Sequence, residues 1–363
     1  MNKVYFITGA FPPKTGGEFY NYKLYDYLEK TGLEQEYIDL HQKRAILRFS
    51  WIPVIGNIIT YLILAVMLYR SNGILVEDHY FSRYLVVVNI IQRYFKRGKV
   101  IIIVHHFDNY ESDSPLSIQK NIIKLKEKLI LSFADIIITV SEYTKREVIS
   151  LGINPCSIFV LPPGLEREKL KTLSNAEGEI NSQKILCVGH CTPRKGLIYL
   201  IKAFSMIEKR GFTLHMVGKV KKTSKYYKEV LSLIEDLKLS QDIFLYERLE
   251  QEELNRLYSA SEIFILPSLK EGFGIVLLEA MYHELPIVTT KISAMPELVI
   301  DGENGLLVPV ADPTALAEAI SKLIAHPDLR RQMGENGRQR ITNSYHWDTT
   351  CSKFLSVIQN VSD

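Results

Sequence analysis

Ile263-Phe264-Ile265-Leu266-Pro267-Ser268-Leu269-Lys270-Glu271-Gly272-Phe273-Gly274-Ile275-Val276-Leu277-Leu278-Glu279-Ala280 is the stretch on which the fold turns. The apolar run Ile263–Leu266, stopped by Pro267, reads as a strand buried on both faces. A short glycine-containing loop follows, and then an apolar helix over Gly274–Tyr282. A buried strand passing through a tight loop into a helix is the repeating unit of a parallel sheet. Two carboxylates stand out. Glu271 lies in the loop. Glu279 lies eight residues later, a little over two helical turns away. Flanked by Leu278 and Ala280, the Glu279 carboxylate needs a partner. A ligand hydroxyl such as a ribose diol fits, and so does a neighbouring Lys or Arg.

The same alternation extends in both directions. Upstream strands are expected at Val4–Thr8, Tyr37–Leu40, Ile74–Glu77, Val100–Val104, Ile136–Val140 and Ile158–Leu161, with helices such as Glu18–Lys30, Tyr84–Phe95 and Ile118–Phe133 between them. The polar segment Glu166–Gln183 breaks the pattern and reads as a linker. Strands then resume at Ile185–Val188, Thr213–Val217, Ile243–Tyr246, Ile263–Leu266 and Ile287–Thr290, with helices at Leu197–Lys209, Tyr226–Leu237, Glu252–Ala260 and Thr314–Ala325. A chain of 363 residues has room for two domains. The expectation is an α/β protein of two doubly wound parallel-sheet domains, 1–165 and 184–344. A ligand cleft is expected between them, at the carboxyl ends of the strands.

Composition narrows the function. Hydrophobic residues at 47% and charged residues at 23% describe a globular protein with a real core. A net charge of +3 is too small to argue for nucleic acid. Cys156, Cys187, Cys191 and Cys351 form no zinc spacing and read as reduced thiols. The N-terminus runs straight into a strand without a cleavable signal, so a cytoplasmic protein is expected. Trp51–Tyr69 carries no charge. The strands expected on either side belong to one sheet, so a membrane crossing is disfavoured. A sheet-covering or interfacial helix fits better, and the basic and aromatic approach Lys43–Trp51 suits an anionic membrane surface.

Three more strand ends carry polar groups. Thr8–Gly17 is a small-residue turn opening a helix, where backbone N–H groups face an anion. It is not the dinucleotide GxGxxG pattern. His105-His106-Phe107-Asp108 follows a strand directly, placing a hydrogen-bonding imidazole at its carboxyl end. Gly189-His190-Cys191-Thr192-Pro193-Arg194-Lys195-Gly196 sets two cations at a strand-to-helix junction, where a diphosphate is neutralised well. A plain turn, a surface histidine and an exposed charge pair are the bland readings of these three.

Taken in order, these pieces resemble the retaining glycosyltransferases of family four, which have the two-Rossmann GT-B fold. The resemblance runs through Pro13–Gly17, His105, Asp135–Glu142, Leu161–Gly164, Arg194–Gly196, the Glu271–Glu279 pair, Pro296–Val299 and Asn304–Val308. It implies that the second domain binds a nucleotide sugar, UDP- or GDP-linked, as co-substrate without a cofactor or metal. Glu279 takes the ribose hydroxyls, and Glu271 contacts the sugar. Gly272, Phe273 and Gly274 offer backbone N–H groups. Lys195, with Arg194, holds the diphosphate. Gly16 and Gly17 lie against the phosphates or the acceptor, and His105 stands beside the transferred sugar. The final stretch, Trp347–Val361, resembles the family helix that returns to the first domain. One position departs: His190 stands where the family commonly has Arg. Either Arg194 supplies the missing charge, or His190 binds as imidazolium.

The implied reaction is sugar transfer to an acceptor hydroxyl with retention, in cell-surface polysaccharide or glycolipid synthesis. The acceptor is a sugar or a lipid-linked group, and the basic, apolar Lys43–Tyr69 region hints at the inner face of the cell membrane. The competing readings are a nucleotide-sugar epimerase of the same fold and a non-catalytic partner that binds nucleotide sugar. A phosphorylase needs a far longer chain, and a dehydrogenase needs the missing dinucleotide loop.

Overall fold

A computed structural model describes residues 3–8, 13, 15–39, 73–95, 98–107, 117–165 and 183–362. Trp51–Tyr69 and nearly all of the expected linker lie outside them, as do Lys14 and Asp108. The chain divides into two compact units. The first comprises Met1–Pro163 with Trp347–Asp363, the second Gly164–His346.

The first unit is built on β1 (Val4–Thr8), β2 (Gln35–Asp39), β3 (Ile74–Asp78), β4 (Lys99–Val104), β5 (Ile136–Thr139) and β6 (Ile158–Val160). They pair in parallel in the order β2-β1-β3-β4-β5-β6. The order reverses between β1 and β3, which makes that pair the switch point of the sheet. Helices α1 (Gly16–Lys30), α2 (His79–Phe95), α3 (Ser117–Leu131) and α4 (Glu142–Ser150) connect the strands. The core joins Ile7, Leu75, Ile102 and Ile137 of the sheet to Leu85, Val88 and Val148 of the helices. The C-terminal helix Trp347–Ser362 belongs to this unit. It packs on α1, with Trp347 against Tyr20 and Phe354 edge-on to Phe6, while the Thr350 hydroxyl donates to the Pro162 carbonyl.

The second unit has β7 (Lys184–Val188), β8 (Thr213–Val217), β9 (Ile243–Tyr246), β10 (Ile263–Leu266), β11 (Ile287–Thr290) and β12 (Gly305–Val308). Its order, β12-β11-β10-β7-β8-β9, is the doubly wound arrangement with a switch point between β7 and β10. Helices α5 (Leu197–Met206), α6 (Lys225–Asp236), α7 (Gln251–Ser259), α8 (Ile275–Tyr282), α9 (Pro313–Ala325) and α10 (Pro327–Ser344) surround it. The core runs from Ile185, Leu214 and Ile265 out to Leu200, Val230 and Ile320.

Expected and observed strands agree to within two residues. Among the described residues, helix α4, strand β12 and helix α10 escaped the sequence, as did the one-turn helices Pro155–Ser157, Pro193–Lys195 and Met295–Leu298. Helix α4 and the edge strand β12 are short, and β12 opens on Asn304-Gly305, which reads as a turn. Helix α10 is polar and contains Gly334 and Gly337, which look like breakers. Gly334 is required by packing instead, since a Cβ there would sit 1.9 Å from the Glu284 carbonyl oxygen.

Candidate active site

In the second unit, the loops after β7 and β10 flank the switch point and touch each other. A single 3-10 turn, Pro193–Lys195, ends at Gly196 in the left-handed region, φ 67°. A Cβ on Gly196 would lie 2.1 Å from the Pro267 carbonyl oxygen, so only glycine fits there. The Leu269 N–H then donates to the Arg194 carbonyl at 2.8 Å, locking loop to loop.

This contact assembles an ionic cluster. Lys195 Nζ donates to Glu271 Oε2 at 2.5 Å. Arg194 Nη1 donates to Glu271 Oε1 at 3.3 Å and to the Lys270 carbonyl at 2.9 Å. The Ser268 hydroxyl lies 3.4 Å from Glu271 Oε2. Both members of the Lys195–Glu271 pair are nearly enclosed, with side chains 11% and 12% exposed. Burial pushes the Glu271 carboxyl upward, but the neighbouring Lys195 and Arg194 charges outweigh it and hold it at about 2. His190 lies exposed beside them. Partial desolvation by its neighbours lowers its pKa, and the charges of Lys195, Lys219 and Arg194 lower it further, against a weaker pull from Glu271. The lowered pKa favours the neutral imidazole, and Arg194 and Lys195 supply the fixed charges of this loop.

Glu279 lies on α8, which starts beyond left-handed Gly274. The Tyr258 hydroxyl donates to Glu279 Oε2 at 3.0 Å. Tyr258 is fully buried and stacked between Phe264 and His283 at 5.8 and 5.2 Å. Gly272, Phe273 and Gly274 are buried, and the Phe273 ring meets Tyr345 edge-on at 5.9 Å.

The first unit holds a second cluster, at its own switch point. Thr15 caps α1 in a full capping box with Glu18, and Gly16 and Gly17 form the first turn. The His105 ring, at the end of β4, lies against Gly17. A Cβ on Gly17 would come 3.1 Å from His105 Cδ2. Asn21 of α1 is fully buried and sits between His105 and Asp78. Its amide nitrogen donates to Asp78 Oδ2 at 2.7 Å, and its oxygen faces His105 Nε2 at 3.1 Å. A carboxylate only accepts, so the amide orientation is fixed. The facing oxygen then requires His105 Nε2 to carry the proton, which leaves Nδ1 as an acceptor. The Tyr80 N–H donates to Asp78 Oδ1 at 2.9 Å and completes the carboxylate's hold. Burial lowers the His105 pKa, with Asp78 opposing, and His106 and His79 adding to the fall.

The expected residues thus fall into two groups. Gly16, Gly17 and His105 belong to the first unit, and the rest to the second. Sequence reading missed Asn21, Asp78, Ser268 and Tyr258. Asp78 had a signal, since it ends a parallel strand as His105 does. Asn21 and Tyr258 had none, because their roles come from packing across elements. Among the described residues, no three His, Cys, Asp or Glu converge as a metal would need.

The sequence pattern defining the Glycosyl transferases group 1 family matches residues 171–340, and that of Glycosyltransferase Family 4 matches residues 16–169. The chain belongs to glycosyltransferase family four. The chain is 29% identical over 226 residues to an MMP alpha-(1->4)-mannosyltransferase of Mycolicibacterium hassiacum, a match covering 61% of the chain and 53% of the relative. It is also 29% identical over 238 residues to the capsular polysaccharide biosynthesis glycosyltransferase CapM of Staphylococcus aureus, covering 62% of the chain and 61% of the relative. These matches therefore span little more than half the length of the curated relatives. The solved structure of Anabaena HepE in complex with UDP and glucose shares the fold, with a TM-score of 0.76 and 17% identity over 99% of this chain and 100% of that one. The chain therefore has the two-Rossmann GT-B fold, with one six-stranded parallel sheet in each unit.

Proposed function

We propose that this glycosyltransferase moves a sugar from a nucleoside diphosphate sugar to an acceptor hydroxyl, with retention at the anomeric carbon. The observation that carries the reading is the enclosed Lys195–Arg194–Glu271 cluster at the switch point of the second sheet, where such folds bind nucleotides. The donor is UDP- or GDP-linked, and the UDP and glucose held by the Anabaena relative support the uridine choice. Glu279 takes the ribose diol, held in place by Tyr258. With no donor bound, Glu271 occupies Lys195. An arriving diphosphate replaces that carboxylate on Lys195, and Glu271 is released toward the sugar. Lys195 and Arg194 then neutralise the leaving group as its charge develops.

The bond between the anomeric carbon and the phosphate oxygen breaks, and the acceptor oxygen attacks on the same face. The acceptor proton passes to the departing phosphate oxygen. No resident cofactor or metal is assigned, because the two cations supply the charge. On the first unit, Gly16 and Gly17 open a helix N-terminus toward phosphate or acceptor, and His105 offers Nδ1 to a sugar hydroxyl. The acceptor is a sugar or a lipid-linked group of a cell-surface polysaccharide or glycolipid pathway, handled at the inner face of the cell membrane. The CapM relative's role in capsular polysaccharide supports that assignment. Among the described residues, no helix is long and apolar enough to cross a membrane. Proton NMR of the first-formed product tests the reaction. An axial glycoside from an axially linked donor is expected, and inversion would refute the mechanism. Hydrolysis of the donor with no transfer to any acceptor would refute the transferase reading.

A further inference from the structure

Helices α2 and α3 follow β3 and β4 in the same winding direction and pack side by side on one face of the first sheet. A surface helix ordinarily buries its apolar stripe and shows water its polar face. Helix α3 does more. It buries Glu127, Ile130 and Leu131, yet Ile122, Leu125 and Leu129 are 48%, 67% and 52% exposed. Their spacing of three and four residues sets them in one stripe on the outward side. Lys126 borders that stripe on one edge, with Lys124 and Lys128 on the other, and all three are exposed.

The charge on this face has a single sign. Glu127 is the one acidic residue of α3, and it turns inward to His79 at 2.6 Å. Helix α2 contains no acidic residue at all. Its Ile90 is 42% exposed and its Arg93 is also exposed. Arg93 donates to the Ser132 carbonyl at 2.9 Å, tying the end of α2 to the end of α3.

We propose that the outer faces of α2 and α3 form a docking surface for an anionic lipid bilayer. Apolar side chains between lysines suit an interface of acyl chains below and anionic headgroups above. A second copy of this chain fits poorly, because it would set the same lysines against one another. The surface connects to the reacting end of the unit. The Glu127–His79 pair joins α3 to the start of α2, and the Phe107 ring meets His79 edge-on at 5.1 Å, two residues from His105. A bilayer bound here presents a lipid-linked acceptor to the strand ends that carry His105. That last step rests on the sugar-transfer reading, whereas the docking surface itself does not.

The test is co-sedimentation of the full chain with vesicles of phosphatidylcholine, alone or with about one third phosphatidylglycerol. Wild type, Leu125→Glu/Leu129→Glu and Lys124→Gln/Lys126→Gln are compared, and nucleotide-dependent melting is recorded in parallel. All four changes are at exposed positions, so the fold is kept. The expected result is wild-type binding only to the anionic vesicles, weakened at least tenfold in high salt. The leucine variant loses at least tenfold in binding, and the lysine variant loses most of the salt dependence. Any nucleotide stabilisation is the same in all three. Wild type that ignores the anionic vesicles overturns the proposal, as do variants that bind as wild type does. So does self-association of wild type that the leucine variant abolishes. Absence of nucleotide stabilisation in every protein would instead count against the donor reading, leaving the vesicle result to stand alone.

Discussion

At the scale of single residues, the cluster explains itself through charge. Protonation of His190 in the free protein is opposed by partial desolvation and by three neighbouring cations, Lys195, Lys219 and Arg194, with Glu271 pulling the other way. A bound diphosphate reverses that balance. Nucleotide affinity is therefore expected to rise as pH falls from about 7.5 to 6, and to stay flat in His190→Arg, as isothermal titration would show. Affinity independent of pH in the wild type would remove His190 from the phosphate site. Tyr258 offers a cleaner deletion. Tyr258→Phe keeps the stacked ring and takes one hydrogen bond from Glu279, so donor KM should rise several-fold, in line with about 1 kcal/mol, while kcat changes little. Glu77 is a separate case. It is fully buried on β3 with Oε1 unpartnered and only Asn89 and Ser82 to help it, and burial raises its pKa to about 7. A raised carboxyl favours the folded state below its unfolded value near 4.5, and that contribution is lost as pH rises through about 7. Glu77→Gln should therefore raise the melting temperature of the first unit at pH 8 and leave it little changed at pH 4.5. An equal effect at both pH values would contradict this account.

At the scale of elements, the two switch points decide where chemistry collects. The loops after β7 and β10 meet only because Gly196 lets the backbone pass the Pro267 carbonyl. Gly196→Ala should destabilise the second unit by more than about 1 kcal/mol, read in denaturant titration, and should weaken nucleotide binding in parallel. Normal stability with normal binding would show that the loops tolerate separation. This level also shows what the sequence revealed. The apolar runs and their punctuation placed strands closely, because parallel strands buried on both faces leave an unmistakable signal. Glu271, Lys195 and His105 were legible for the same reason, as polar residues placed just beyond such runs. Asn21 and Tyr258 were not. Asn21 lies within α1 and Tyr258 on α7, and each reaches its partner only after helices and strands have packed. The mutual capture of Lys195 and Glu271 was equally hidden, since the two lie on different loops, and it replaces two separate ligand contacts with one competing ion pair.

At the scale of the whole molecule, each unit carries its own set of groups. The second unit carries the cations, the enclosed carboxylate and the Tyr258-held Glu279. The first carries the imidazole, whose tautomer Asn21 and Asp78 fix, and the basic, apolar faces of α2 and α3. The most direct test of the central claim is a thermal-shift titration with UDP, GDP, ADP, TDP and CMP and their sugar conjugates, on wild type and Glu279→Ala together. One base class should raise the wild-type melting temperature, by an amount equivalent to about 2.7 kcal/mol at a hundredfold excess over Kd, and the shift should vanish in Glu279→Ala. Wild type that melts at the same temperature with every nucleotide would contradict the account and favour a protein that keeps the fold without using a nucleotide sugar.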